Sequence, residues 1–333
     1  MTDRKETGMD FHAGRVRITV ARDEADMGNR AAAEAARAAK DAVASGKKVA
    51  FWLMAAPSGF SFYEAFVART REDPGLAAAA RSARYFQFDD YPIGRGDPRF
   101  PVTFRHLLES RFFGPLENAA GPLEGKRLLE LKGDEGDEAV LEGYRESLQE
   151  VLEDEGWYVI EVKGIGMDGH WGFHGRETPL DSPPGFIRVP MSPLNVQQQL
   201  LDWPRYFRSA ADVPEAAVTA NVGLFLKADR ILDLVPQRTK EFAVLACYGP
   251  DAVSPLVPSS ALKTHPAARS FLTELSAEAL LEYRRRGAPE SPVSEETLER
   301  LKGAWRSPGD PERERRNIAE MLETLKAVFG QAG

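Results

Sequence analysis

The stretch VAFWLMAAPSGFS, residues 49–61, decides how the rest of the chain is read. Its first six residues are continuously apolar, too short a run for a helix and without the alternation of a half-exposed strand, so they predict a strand covered on both faces. Such strands belong to parallel sheets flanked by helices. The following turn, residues 55–61, leads into a helix that runs to about Arg71. Upstream, residues 15–21 (RVRITVA) alternate and are β-branched, and an Ala-rich helix over residues 23–45 ends at Gly46. Downstream, strands are expected at 84–88, 127–131, 157–162, 216–222, 230–234 and 269–275, with helices at 102–113 and 138–153. Strand and helix alternate throughout, which predicts an α/β fold with a doubly wound, mainly parallel sheet and helices on both faces.

At its ends the chain departs from this pattern. Residues 1–14 are expected to be an N-terminal tail, residues 15–283 the α/β domain, and residues 284–333 a charged helical C-terminal extension with helices at 294–305 and 311–329. Within the domain, the Pro/Gly-rich stretch at 175–193 is too long for a casual connection and is expected to act as a lid.

Composition narrows the class of function. The chain has 333 residues, 43 Lys and Arg against 51 Asp and Glu, and a formal charge of −8. Its field repels polyanions and anionic lipid alike, so neither nucleic acid nor a membrane is an expected partner. The lone cysteine, Cys247, cannot close an intramolecular disulfide, and five scattered histidines offer no zinc spacing, so neither metal nor cofactor is expected. With no signal-peptide pattern at the start, the expected compartment is the cytoplasm. A small anion can still bind to a local cluster of donors whatever the net charge.

In open α/β sheets ligands lie beyond the carboxyl ends of the strands, so the polar residues there are the candidates. Ser58, Gly59 and Ser61 follow the first buried strand and open a helix, where backbone N–H groups and hydroxyls can hold a phosphate; a plain helix-capping turn is the competing reading. Asp89 and Asp90 end the next strand, and paired carboxylates raise one another's pKa, as suits a base that moves a carbon-bound proton; a capping aspartate is the alternative. Gly164-Ile-Gly-Met-Asp-Gly-His170 follows the strand WYVIEV, so Gly166 permits close backbone approach and Asp168 and His170 stand two residues apart. Lys240, after ILDLV, can clamp a phosphate as a point charge.

Taken together these segments resemble the glucosamine-6-phosphate isomerase/deaminase family, whose superfamily also includes 6-phosphogluconolactonases. The family's DGH motif is similar to GIGMDGH at 164–170, its DEY to Asp89-Asp90-Tyr91, its V-G-x-x-L-x-A to VGLFLKA at 222–228, and its S-x-L-x-x-H-P to SSALKTHP at 259–266. The resemblance implies that Asp89 shuttles a proton between C1 and C2, that Asp168 and His170 act in ring opening, and that the loop around Ser58 to Ser61 together with Lys240 holds a substrate phosphate. A phosphorylated sugar is the implied partner, and a homo-oligomer is left open.

Three departures accompany the resemblance. The first loop reads AAPSG where the family has T-G-G-T-P. Phe173-His174-Gly175-Arg176 stands where F-N-E-P would supply a glutamate that orients the histidine. Glu177 or Asp181 is therefore expected to fold inward when the lid closes over ligand, with His174 a further candidate for the chemistry. The family's lid arginine falls in the glutamine run 197–199, leaving Arg188 and Arg205 as candidates. The implied activity is a sugar-phosphate isomerase/deaminase. The alternatives are a 6-phosphogluconolactonase-like hydrolase, which would use His170 on water, and a sugar-phosphate sensor that binds without turnover.

Overall fold

The computed structural model describes residues 9–287, 291–307 and 309–330. Eight strands form the main sheet: β1 (Met9–Ala13), β2 (Val16–Ala21), β3 (Lys48–Leu53), β4 (Arg84–Gln87), β6 (Gly125–Arg127), β7 (Trp157–Lys163), β10 (Arg230–Val235) and β11 (Ala268–Thr273). Their order is β1-β2-β11-β10-β7-β3-β4-β6, and every pairing is parallel except that of β1 with β2. Three further strands, β5 (Asp89–Asp90), β8 (Phe186–Pro190) and β9 (Ala216–Ala220), make a small antiparallel sheet in the order β5-β9-β8.

The helices are α1 (Glu24–Ala44), α2 (Phe60–Glu72), α3 (Pro74–Ser82), α4 (Phe104–Leu108), α5 (Gly114–Ala120), α6 (Asp137–Glu153), α7 (Pro193–Asp202), α8 (Val222–Phe225), α9 (Glu241–Tyr248), α10 (Glu274–Arg285), α11 (Glu295–Ala304) and α12 (Pro311–Gly330). Asp23 caps α1 by accepting from the Asp26 N–H, and Ala31, Ala32, Ala35, Ala38 and Ala39 give it a flat buried face. That small-residue face allows close approach: a Cβ on Gly28 would stand 2.5 Å from the Ser61 backbone of α2. None of the described helices is long and apolar enough to cross a membrane.

The doubly wound parallel sheet is as expected, and its centre explains the apolar runs. Val49 to Leu53 of β3 and Val159, Ile160 and Val162 of β7 are buried, with Leu53 opposite Val162 in parallel register. Several boundaries need correction. The tail expected over residues 1–14 contributes β1 at Met9–Ala13, turned back onto β2 at Gly14, whose φ of 55° suits a residue without a side chain; residues 1–8 lie outside the described residues. The strand expected at 127–131 is β6, displaced to Gly125–Arg127. The strand expected at 216–222 belongs to the small sheet, and the stretch read as a lid loop contains β8, its partner.

The C-terminal extension forms α11 and α12 close to the expected bounds, and its apolar residues join the main core. Leu301, Trp305, Met321, Leu325 and Val328 are buried in the same cluster as the sheet. Trp305 has no exposed surface and meets Phe242 of α9 edge to face, with centroids 4.8 Å apart.

Candidate active site

Four loops leave the carboxyl ends of adjacent strands and meet over the sheet. The loop after β3 brings Ser58, the end of β4 brings Phe88 and Asp89, the loop after β7 brings Gly164, Gly166 and His170, and the loop after β10 brings Gln237 and Lys240. All of these line one pocket, closed on its other side by Phe104, Phe173 and by Gln198, Gln199 and Asp202 of α7. This is where a doubly wound sheet places its ligand, because the crossover connections of β3 and β7 leave on opposite sides there.

Asp89 and Asp90, adjacent in sequence, point opposite ways along β5. Asp89 faces the pocket, is 3% exposed, and its Oδ1 has no hydrogen-bond partner among the described residues. Burial pushes its carboxyl well above the ordinary range, with the charges of Asp90 and Glu161 adding to the effect. Asp90 turns away and accepts from Gln87 Nε2 at 2.8 Å and from the backbone N–H groups of Tyr91, Phe104 and Arg105 at 2.8, 2.8 and 3.1 Å. Its four acceptor contacts fix the start of α4. Asp90, read in the sequence as the partner of Asp89 in a carboxylate pair, is a structural aspartate, its carboxyl pushed up to about 6 by burial against the pull of these donors.

His170 is 5% exposed and presents its ring to the pocket. Its Nδ1 lies 2.6 Å from Asp168 Oδ1, which leaves Nε2 for chemistry. Burial acts to raise the Asp168 carboxyl, but the His170 charge and hydrogen bond, with Arg176 behind them, outweigh it and hold the group well below the usual carboxylate range. The glycines set this geometry. A Cβ on Gly166 would stand 2.0 Å from the His170 ring, and Gly169, at φ +88°, lets Val257 approach so closely that a Cβ would meet it at 2.3 Å.

The acceptor for the histidine therefore comes from its own loop. Glu177 and Asp181, expected to fold inward when the lid closes over ligand, are both exposed. His174, a candidate for the chemistry, is a buried pin instead: Nδ1 accepts from the Val222 N–H at 3.1 Å and Nε2 meets the Thr178 carbonyl at 3.0 Å. Burial lowers its pKa, which favours the neutral ring that such bridging needs.

Lys240 is 4% exposed, lines the pocket, and its ammonium has no hydrogen-bond partner among the described residues. Burial pulls its pKa down, while Asp202 and Asp168 act the other way. Ser58 donates to Gln237 Oε1 at 2.9 Å beside it. Gly59 and Ser61 do not reach the pocket. The Gly59 N–H is spent on the Ala56 carbonyl at 2.9 Å, and Ser61 packs against Gly28 of α1. Arg205 and Arg188 are exposed, and Arg188 stands 3.6 Å from Asp137. Lys240 is the cation of the pocket among the described residues.

Asp202, Gln198, Gln199 and Gln237 were not among the expected site residues. Burial raises the Asp202 carboxyl, offset by Lys240, Gln198 and His170. Gln198 accepts from the Met167 N–H at 2.9 Å and Gln199 from the Tyr91 hydroxyl, so α7 is tied to the loops that carry His170 and Asp89. The displaced position of the family's lid arginine was the only signal pointing to this helix.

No family model matches the chain. In sequence it is 29% identical to the glucosamine-6-phosphate deaminase of Staphylococcus aureus over 189 residues, 57% of this chain and 69% of that one. Among solved structures, a monomeric glucosamine-6-phosphate deaminase superposes with a TM-score of 0.63 at 21% identity, covering 78% of this chain and 98% of that one. The 6-phosphogluconolactonase of Trypanosoma brucei gives a TM-score of 0.57 at 13% identity, covering 81% of this chain and 100% of that one. The chain is thus similar in sequence to glucosamine-6-phosphate deaminases and shares the fold common to them and to the 6-phosphogluconolactonases.

Proposed function

We propose that the protein is a sugar-phosphate isomerase/deaminase acting on an amino-sugar 6-phosphate such as glucosamine 6-phosphate. The observation that carries this reading is the convergence of Asp89, His170 and Lys240 on one pocket, each from a different strand end. Lys240, Ser58 and Gln237 receive the phosphate, which places the other end of the sugar toward Asp89 and His170. His170, held through Nδ1 by Asp168, exchanges a proton with the ring oxygen through Nε2 as the ring opens. Asp89 then takes the C2 proton and returns it at C1. A buried carboxyl with a raised pKa suits this work, because it binds the proton firmly enough to carry it and releases it readily to carbon. When the 2-substituent is an amine, loss of the C2 proton gives an enolamine, its return at C1 gives the C2 imine, and water adds to that imine to release ammonia and leave the ketose phosphate.

The same Asp168–His170 pair supports a second reading. An imidazole oriented by a carboxylate, with Nε2 free, activates water for attack on a lactone carbonyl and needs no second base. Incubation of the purified protein with a panel of amino-sugar 6-phosphates and 6-phosphogluconolactone, followed by mass spectrometry, separates the two. Loss of ammonia from an amino-sugar phosphate supports the isomerase/deaminase; accelerated ring opening of the lactone alone supports the hydrolase. Binding of sugar phosphates with neither reaction would leave a sensor. The buried free thiol of Cys247 fits the cytoplasm as the compartment.

A further inference from the structure

Two sets of polar contacts stand behind the pocket. The C-terminal extension supplies one: Ser307 donates to Gln197 of α7 at 2.7 Å, Arg300 of α11 to Glu241 at 2.6 Å, and Arg176, on the loop that carries His170, pairs with Glu320 of α12 at 3.1 Å. The other lies at the root of the histidine loop and touches His170 itself.

Lys163 ends β7, directly before Gly164, and sits opposite Asp233 of β10 in the parallel register. Its ammonium stands 3.2 Å from Asp233 Oδ1, and neither side chain has any exposed surface. Asp233 Oδ2 in turn accepts from the Tyr248 hydroxyl at 2.6 Å and the Ser270 hydroxyl at 2.8 Å. The same ammonium donates to Ser259 Oγ at 3.3 Å and lies 4.3 Å from the centre of the Trp171 ring. Ser259 then clamps the loop twice: its N–H donates to the Gly169 carbonyl and its hydroxyl to the His170 carbonyl, each at 2.9 Å. Contacts therefore run without a gap from Asp233 through Lys163 and Ser259 to the main chain of His170.

The chemistry of the groups fixes the direction of this chain. A lysine ammonium carries three donors and no acceptor, so Ser259 Oγ can only accept from it, and the single serine proton is turned to the His170 carbonyl. A fully buried ion pair gains little over apolar side chains of similar volume, because desolvation consumes the attraction, so stability alone gives no reason for one here. We propose that Lys163 and Ser259 are positioning residues for His170: the ion pair aims the serine hydroxyl, and the hydroxyl sets where the histidine main chain lies and hence how far Nε2 reaches into the pocket. Trp171, held on its ring face by the same ammonium and through Nε1 by Glu161 at 2.8 Å, fixes the next residue.

The inference rests on His170 serving in the reaction proposed above, and its test reads contact and turnover separately. His170-Trp171 is the one His-Trp step in the chain, so labelling histidine carbonyls with carbon-13 and tryptophan nitrogens with nitrogen-15 gives a single carbonyl–amide NMR correlation, that of His170. In Ser259→Ala and in Lys163→Met this carbonyl should move upfield, as a carbonyl does on losing a hydrogen bond. On the reactive sugar phosphate kcat should fall about 10- to 100-fold, with KM little changed because Lys240 and Ser58 are untouched. In a His170→Gln background Ser259→Ala should cost no further rate. An unmoved carbonyl in either variant, an unchanged kcat, or a full second loss in the His170→Gln background overturns the proposal. Should Lys163→Met fail to fold, Lys163→Met combined with Asp233→Asn removes the pair without leaving a buried charge and carries the same expectations. A shifted carbonyl in a protein that turns over no sugar phosphate refutes the functional reading and leaves the hold on His170 standing; an unmoved carbonyl beside active deamination refutes this inference alone.

Discussion

Replacing Asp89 by Asn separates a working carboxylate from a structural one more sharply than any other single change. The amide keeps the shape but cannot accept a proton from carbon, so turnover should fall about 100-fold to 10,000-fold while ligand still binds. Stability should move the other way. Below the ordinary carboxylate value of 3.8 the Asp89 carboxyl is protonated in both folded and unfolded chains and exerts no differential effect. Above it the unfolded chain ionises while the buried group holds its proton, so wild-type stability declines as pH rises toward the raised folded pKa, by about 1.4 kcal/mol for each unit between the two values. An amide escapes this loss. Asp89→Asn should therefore melt at or above the wild-type temperature, with the difference growing as pH rises from 3.8 toward the raised folded pKa and constant above it. Asp90→Asn provides the contrast: one of its carboxylate oxygens becomes an NH2 facing backbone N–H donors, costing about 2–4 kcal/mol. Calorimetry across pH 3.5 to 8 and kinetics on the reactive sugar phosphate read both quantities. Near wild-type turnover in Asp89→Asn, or a neutral-pH melting temperature as depressed as that of Asp90→Asn, would refute the assignment of the base.

Other changes test the rest of the pocket. Lys240→Met should raise KM for a phosphorylated substrate about 10- to 100-fold, since a charge-assisted contact is worth roughly 1.5–3 kcal/mol, while kcat falls less; an unchanged KM would remove Lys240 from phosphate binding. Gly166→Ala places a methyl 2.0 Å from the His170 ring, so kcat should collapse with circular dichroism intact, and an active variant would show that the ring has room to move. His174→Ala leaves the Val222 N–H without its acceptor and should cost about 1–3 kcal/mol in urea unfolding, with the pH–rate profile unshifted; a displaced profile would return His174 to the chemistry.

The sheet was legible because its signal is local and strong. A run such as VAFWLM has no other economical home than a strand covered on both sides, and each polar loop after such a run landed at the pocket. What escaped was non-local. β8 lies within a Pro/Gly-rich stretch, and its pairing to β9 is formed by residues some thirty positions apart, which no periodicity encodes. β1 carries a burial pattern of one buried residue in five, too weak to distinguish from a tail. Asp89 and Asp90 were visible as a pair, but which one faces the pocket is a matter of strand parity, and a two-residue strand leaves no pattern from which to read it. Similarly, Glu177 and Asp181 were near in sequence to the histidine, whereas the carboxylate that does approach its loop from outside, Glu320, lies about 150 residues away.

The two ends of the pocket are unsatisfied in complementary ways, and this constrains what it binds. Among the described residues, Lys240 keeps a buried ammonium without a partner and Asp89 a buried oxygen without one. Each costs the folded chain several tenths to a few kcal/mol, and such costs persist where a ligand recovers them. A phosphate satisfies the lysine and a sugar hydroxyl or amine satisfies the aspartate, so a single phosphorylated sugar relieves both. A neutral sugar relieves only one and leaves the ammonium buried, which should discriminate against it by the factor expected when a buried polar group loses its partner. The negative charge of the whole chain does not oppose this, because at contact distance in a water-poor pocket one lysine outweighs screened surface carboxylates. The extension contributes to the same end from behind: by fixing Gln197, Glu241 and Arg176 it holds α7, the lysine and the histidine loop at set distances, so the recognition of both ends of one ligand is built into the scaffold.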